Sequence, residues 1–169
     1  PSRGLGDVYK RQAYIKDSGF DKDTDYLSGY ASGDHELPPR LYEISARIKE
    51  KRGYWIKTFA SKAEIREWIP RAMQVHRQAM SGLHSFFPPT EAETRAIINT
   101  LLTIVDPSLI KLVMKGDDIA GFLIAYHDVS VGLQKARGRL FPFGWFHILR
   151  DRQKTEWVNV NGLGLLPQY

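Results

Sequence analysis

From residue 40 onward the apolar positions of this chain switch between two periods, and the switches mark its elements. Leu41, Ile44 and Ile48 fall at helical spacing over residues 40–52, behind a Pro38-Pro39 pair that can open a helix but not sit inside one. Arg47, Lys49, Lys51 and Arg52 crowd the end of that segment. Cations there complement the helix dipole, so they need no ligand to explain them. Gly53 stops the helix, and residues 54–59 (YWIKTF) alternate with aromatic and β-branched side chains, which predicts a strand. Ser61-Lys-Ala-Glu64 reads as a capping box. It opens a helix with Ile65, Trp68, Ile69, Ala72, Met73, His76, Ala79 and Met80 on one face. Pro70 predicts a kink or a split in that helix, because it cannot donate to the carbonyl of Arg66. Thr90-Glu-Ala-Glu93 is a second box, and Ala96, Ile97, Leu101 and Ile104 carry its helix to a stop at Asp106-Pro107.

Beyond that stop the period changes again. Residues 109–114 and 119–127 are apolar runs separated by Lys115-Gly-Asp-Asp118, a β-hairpin in which Gly116 can take the positive φ of a tight turn. Residues 129–137 and 145–150 read as short helices around an aromatic turn, residues 138–144 (GRLFPFG). Residues 155–166 read as a final strand. Towards the start, residues 14–20 look like the end of a helix entering a Gly-Phe turn. Residues 25–30 could form a short strand, and residues 31–39 have the composition of a linker. Residues 1–12 show neither period nor cap and are expected to be unstructured. They resemble a translated adapter or vector sequence found at the ends of metagenome-derived reading frames, which marks them as a scar.

Composition narrows the class without naming it. Hydrophobic residues at 43% and aromatics at 12% of 169 residues can build a core. No cysteine is present, which excludes disulfides and thiolate metal sites and agrees with a reducing, cytoplasmic setting. No apolar run approaches a membrane span, so no membrane partner is expected. The formal charge of +5 invites an anionic partner, but setting aside Arg3, Lys10, Arg11 and Asp7 of the scar lowers it to +3. Nucleic acid is therefore not expected as a partner.

A strand, two helices, an antiparallel hairpin and a further strand is the order of the N-terminal half of a GNAT acyltransferase domain. Ile119-Ala-Gly121-Phe122-Leu123 is similar to that family's third strand, and Leu163-Gly-Leu165-Leu-Pro167-Gln-Tyr169 resembles the end of its fourth. The insert of residues 138–145 (GRLFPFGW) resembles an uncharacterised bacterial tandem GNAT-like subgroup. In that subgroup a preceding domain ends in a pattern that Tyr14, Gly19 and Phe20 match. The resemblance implies an α/β (α+β) acyl-CoA N-acyltransferase-like fold, with a mixed, mostly antiparallel sheet and flanking helices. It divides the chain into residues 1–12 as scar, 13–39 as the tail of a preceding domain plus linker, and 40–169 as part of the GNAT-like domain. It also implies that the chain is cut at both ends, stopping before the loop that binds the CoA pyrophosphate.

The chemistry implied is amine attack on an acyl thioester, with acetyl-CoA or another acyl-CoA as co-substrate, no metal, and a small-molecule amine or peptide as acceptor. Carried over by motif, the backbone of Leu163, Gly164 and Leu165 would bind the pantetheine arm. Two residues are candidates for the catalytic base. His127 follows the hairpin and is of a residue type suited to base work, and Glu156 is expected on the last strand, where the family often places a glutamate. Asn159 and Asn161 would share the face opposite Glu156. His76 reads as a core histidine, His84 as part of a loop over the acceptor site, and His35 as a linker residue. The five histidines show no metal spacing. Phe141, Phe143, Trp145 and Phe146 among Arg137, Arg139 and Arg150 are expected to form a plug packing helices onto the sheet. A lid over the acceptor pocket and a base-stacking surface are the alternatives. Two further readings of the whole remain: a GNAT-fold module that binds without catalysis, and an anion- or nucleic-acid-binding module. An unpaired outer edge on the fourth strand would favour self-association.

Overall fold

A computed structural model describes residues 5–84 and 86–169, with side chains from residue 9 onward. The chain divides after Pro38 into two units. In the first, helix α1 spans Leu5–Asp17 and Gly19 leaves it at φ +86°. Residues 5–12 are thus helical where no structure was expected, while residues 1–4 lie outside the described residues. Lys, Arg, Gln and Ala at positions 10–13 favour a helix through intrinsic propensity, which apolar periodicity does not register. The strand expected at 25–30 is irregular chain. A short β-prone run with no neighbour to pair with does not hold as a strand.

The second unit runs α2 (Pro39–Arg52), β1 (Tyr54–Lys57), α3 (Lys62–Met80), α4 (Glu91–Ile104), a 3₁₀ turn (Pro107–Leu109), β2 (Ile110–Lys115) and β3 (Asp118–His127). Then come α5 (Ser130–Lys135), α6 (Gly144–Lys154) and β4 (Val158–Leu165). The strands form one sheet in the order β1-β2-β3-β4, each antiparallel to its neighbour. Gly116, at φ +58°, and Asp117 make the two-residue turn between β2 and β3. Helices flank the sheet, and the fold is α/β with an antiparallel sheet.

The core lies on the face that α3 and α4 cover. Leu112 and Phe122 stand opposite one another in the register and are each 2% exposed. Phe59, Ile65, Val75, Leu102 and Val105 close over them from the helices and loops. Thr90 and Glu93 form the expected capping box on α4. On α3 the box is displaced. Ser61 accepts from Glu64 N–H at 3.1 Å, but the Glu64 carboxylate takes the N–H of Ala60 at 2.8 Å and pairs with Lys57 instead of returning to Ser61. Pro70 does not split α3, which is continuous over 19 residues. The proline lies on the exposed side, so the carbonyl it leaves without a donor faces water.

β4 is built the opposite way from its alternation. Gly162 and Gly164 face the core, while Leu163 and Leu165 face out at 66% and 56% exposure. A Cβ on Gly164 would meet the Phe122 ring at 2.8 Å and the Ala79 methyl of α3 at 3.1 Å. The space a leucine would need is already filled from β3 and α3. On the other face Leu165 leans over Gly121, where a Cβ would lie 2.5 Å from its side chain. The strand begins at Val158 and not at residue 155, which leaves Glu156 ahead of it. Asn161 is unpaired in a bulge, because Ile124 pairs with Gly162 and Ala125 with Val160. That extra residue breaks the alternation expected to place Asn159 and Asn161 on one face.

The segment between β3 and β4 corrects another expectation. α5 and α6 pack on each other as a hairpin, and Phe141 and Phe143 at its tip are 82% and 72% exposed. They do not plug helices onto the sheet. α3 already occupies the core face beside β3 and β4, and the hairpin's own contacts, described below, hold its aromatics away from that core.

Candidate functional site

The site begins with the open edge of β4. Among the described residues no strand pairs beyond it. Leu166 N–H donates to the Ala120 carbonyl at 2.8 Å, and antiparallel pairing alternates from there. Gly164 therefore turns its backbone groups toward β3, while Leu163 and Leu165 turn theirs to the open side. The bulge at Asn161 marks where this regular edge ends. Two outward residues thus offer backbone donors and acceptors in an extended row, and their leucine side chains lie on the uncovered face.

At the other end of β4, β3 finishes at His127, opposite Val158. His127 Nε2 lies 3.1 Å from Asp106 Oδ2. Asp106 also accepts from the N–H of Ser108 at 3.0 Å and from its hydroxyl at 2.8 Å, which caps the 3₁₀ turn. The Ser108 hydroxyl, its backbone N–H and then His127 hold the Asp106 carboxyl down at about 2. An ionised carboxylate only accepts, so Nε2 is the nitrogen that donates to it. Nδ1 is buried and has no protein partner. Sequence reasoning missed Asp106 as that partner. The hairpin fixes Ile110 opposite Ile124, so the turn just before β2 lands beside the end of β3. Only the pairing register carries that signal.

The remaining candidates are dispersed. Glu156 is exposed in the link between α6 and β4 and is not brought to the bulge by the ladder. Asn159 is exposed on β4, and the nearby Asp128 carboxyl is lowered first by the Ser130 hydroxyl and then by the Ser130 N–H. His76 projects from α3 with its ring 5.2 Å from Phe122, beside an apolar cavity of about 70 Å³ between α3, α4 and the sheet. Burial pushes its pKa down and its Nδ1 has no partner, as for a neutral core histidine. His84 is exposed in the turn after α3, and His35 is exposed in the first unit. Among the described residues no group of three or more His, Asp or Glu could hold a metal ion.

α2 and β1 frame a groove of about 460 Å³ on the face away from the core. Ile44, Ile48, Ile56, Val113 and Leu165 make its apolar walls, and Lys49 and Arg52 stand at its rim with Tyr169. The Tyr169 ring meets Tyr54 edge-on at 6.5 Å, with Lys115 Nζ 5.3 Å from its centroid. The outward leucines of β4 thus continue into a cation-edged apolar groove. Among the described residues no helix is long and apolar enough to cross a membrane.

Together these elements define an α/β protein whose antiparallel sheet is covered by α3 and α4 on one face, carries the α2 groove on the other, and has β1 and β4 as its outer strands. No protein-family model matches the chain. Over 138 residues, 80% of its length, it is 25% identical to the bacterial ceramide synthase of Caulobacter vibrioides (strain NA1000 / CB15N). The match spans about a third, 35%, of that curated relative. Among solved structures, the apo form of an agmatine N-acetyltransferase mutant is similar at a TM-score of 0.37 and 15% identity, over 69% of this chain and 61% of that one. Drosophila melanogaster polyamine N-acetyltransferase is similar at 0.36 and 15%, over 68% and 61%. Both are N-acetyltransferases by name.

Proposed function

We propose that this chain supplies the thioester-binding sheet of a GNAT-type N-acyltransferase, which moves an acyl group from acyl-CoA to an amine. The observation that carries the reading is the open edge of β4, where outward backbone groups of Leu163 and Leu165 run up to the bulge at Asn161. An extended pantetheine arm hydrogen-bonds such an edge as a further strand would, and its amides need alternate donors and acceptors. The order of motifs along residues 119–169 supports the same reading. When bound, the acyl-CoA supplies a thioester carbonyl. The amine nitrogen forms a bond to that carbon, the C–S bond breaks, and the thiol leaves with the proton balance completed at sulfur.

In this reading the chain's own residues position and deprotonate. Leu163 and Leu165 fix the arm, with Gly164 between them keeping the strand close to Phe122 and Ala79. His127, oriented through Nε2 by Asp106, is the proposed base, and because its Nδ1 is buried the proton of the attacking ammonium reaches that nitrogen through a water. It stands opposite Val158, three positions or roughly 10 Å along β4 from the bulge, so the acceptor amine occupies the intervening space. Glu156, exposed and ahead of the strand, is the alternative base. A ceramide is the amide of a long-chain amino alcohol, so the match to a ceramide synthase supports N-acylation and favours a lipid amine as acceptor. The apolar groove beside Leu165 suits a long acyl chain.

The test uses the full-length product of the gene that encodes this chain, assayed for thiol release from acyl-CoA with amine acceptors. Leu163→Pro removes one outward N–H and leaves the β3 ladder intact, so it is expected to raise KM for acyl-CoA about tenfold. His127→Gln is expected to lower kcat about 100-fold or more with KM little changed. Binding of acyl-CoA without turnover would instead establish a non-catalytic module. Failure of the full-length protein to bind any acyl-CoA would overturn the proposal.

A further inference from the structure

The α5–α6 hairpin is a preformed display of aromatic side chains, and the contacts that build it face inward. Gly132 N–H donates to Asp151 Oδ2 at 2.9 Å, and the two helices touch so closely that a Cβ on Gly132 would lie 2.8 Å from the His147 carbonyl. At the tip Arg137 and Gly138 both take positive φ, and a Cβ on Gly144 would overlap the Arg139 carbonyl. Trp145 N–H donates to the Leu140 carbonyl and its indole N–H to the Pro142 carbonyl, each at 3.0 Å. At the base Asp128 N–H donates to the Trp157 carbonyl at 2.9 Å. The tip therefore satisfies its polar groups internally and leaves Leu140, Phe141, Phe143, Trp145, Phe146 and Leu149 about half or more exposed. Among the described residues of the second unit nothing buries this cluster.

Charge identifies what covers it. Between residues 130 and 154 stand six cations, among them Arg137, Arg139, Arg150 and Arg152, against one carboxylate, Asp151, which is engaged by Gly132. No salt bridge among the described residues uses those arginines. Apolar side chains ringed by unpaired guanidinium groups match the boundary of an anionic bilayer, where acyl chains take the one and lipid phosphates the other. Leu140 and Leu149 separate this partner from nucleic acid, since aliphatic side chains gain nothing from base stacking but partition into lipid.

We propose that the α5–α6 hairpin is a membrane-interface anchor, seating its Phe141–Phe143 tip in an anionic lipid surface. The hairpin lies in the interface and does not span it. This adds a lipid partner where hydropathy alone gave none, and it stands independently of the acyltransfer reading.

Vesicle sedimentation of the intact chain tests it, with phosphatidylcholine alone and with equal parts phosphatidylglycerol. Binding is expected to the mixed vesicles and to fall about tenfold or more on Phe141→Ser with Phe143→Ser, substitutions at exposed positions that should leave the far-ultraviolet CD spectrum unchanged. Arg137→Gln with Arg139→Gln is expected to cost about tenfold on mixed vesicles and little on neutral ones. Brominated lipid should quench the intact chain's tryptophan fluorescence, and Trp145→Phe should remove most of that quenching. This second readout decides the matter even if a tip variant fails to fold. No vesicle binding, binding indifferent to the phenylalanines, or tighter binding to a single-stranded oligonucleotide than to mixed vesicles would overturn the proposal.

Discussion

The two faces of the sheet follow opposite rules. Under α3 and α4, large side chains interlock and small ones make room, so that Phe122 fills the space over Gly164. On the other face Leu163 and Leu165 stand in the open beside the α2 groove. One strand, β4, takes part in both and places its glycines inward and its leucines outward. Burial alone does not explain such a strand. The covered face stabilises the fold, and the uncovered one is free to hold something else.

Mutations that exchange the rules should break this contrast most strongly. Leu112→Ala, on the covered face, is expected to destabilise the chain by about 2–5 kcal/mol in urea unfolding. Leu165→Ala on the open face should cost less than about 0.5 kcal/mol. Equal effects would mean that both faces are buried in solution. Gly164→Leu should cost about 1–3 kcal/mol by driving a side chain into Phe122 and Ala79. Gly162 has its nearest contact, Phe122, at 3.4 Å and should tolerate alanine better.

Asp106→Ala removes a turn cap and the tether of His127 together, with an expected loss of about 1–2 kcal/mol. Because folding lowers the Asp106 pKa from 3.8 to about 2, its contribution is present above pH 4 and disappears as pH falls through about 2. The D106A variant should therefore show a shallower loss of stability across that window. His76 gives a smaller effect at higher pH. Its folded pKa lies below 6.5, so stability is complete above that value and declines as pH falls and the unfolded chain takes up the proton. His76→Leu should flatten the decline, as followed by thermal melts between neutral and mildly acidic pH. The last prediction concerns the edge itself. The isolated chain is proposed to self-associate through β4, and Val160→Lys should shift sedimentation velocity toward monomer with little change in melting temperature.

The helices and the hairpin were legible from local chemistry. Thr90 and Glu93, Gly116 and Asp117, and the apolar stripe of α3 act within a few residues, and capping, turn geometry and periodicity operate at that range. The displaced cap at Glu64 was not legible, because Lys57 competes for its carboxylate from the preceding strand. The helix over residues 5–12 was missed because it has propensity without an apolar period. Of the candidate site, the sequence alone marked Leu163, Gly164, Leu165 and His127. It could not pair His127 with Asp106, which only the β2–β3 register brings within 3.1 Å. It also misplaced Glu156, since the bulge at Asn161 and the later start of β4 arise from pairing with β3.

By itself, then, the sequence determined the order of elements, the hairpin turn and the motifs that resemble a GNAT sheet, since each depends on neighbours along the chain. The tertiary structure decided which face of β4 is buried, which carboxylate holds His127 and where the aromatics of the α5–α6 hairpin point. Those outcomes depend on volume already occupied by Phe122, Ala79 and the hairpin's own backbone. Occupied volume is a property of residues distant in sequence.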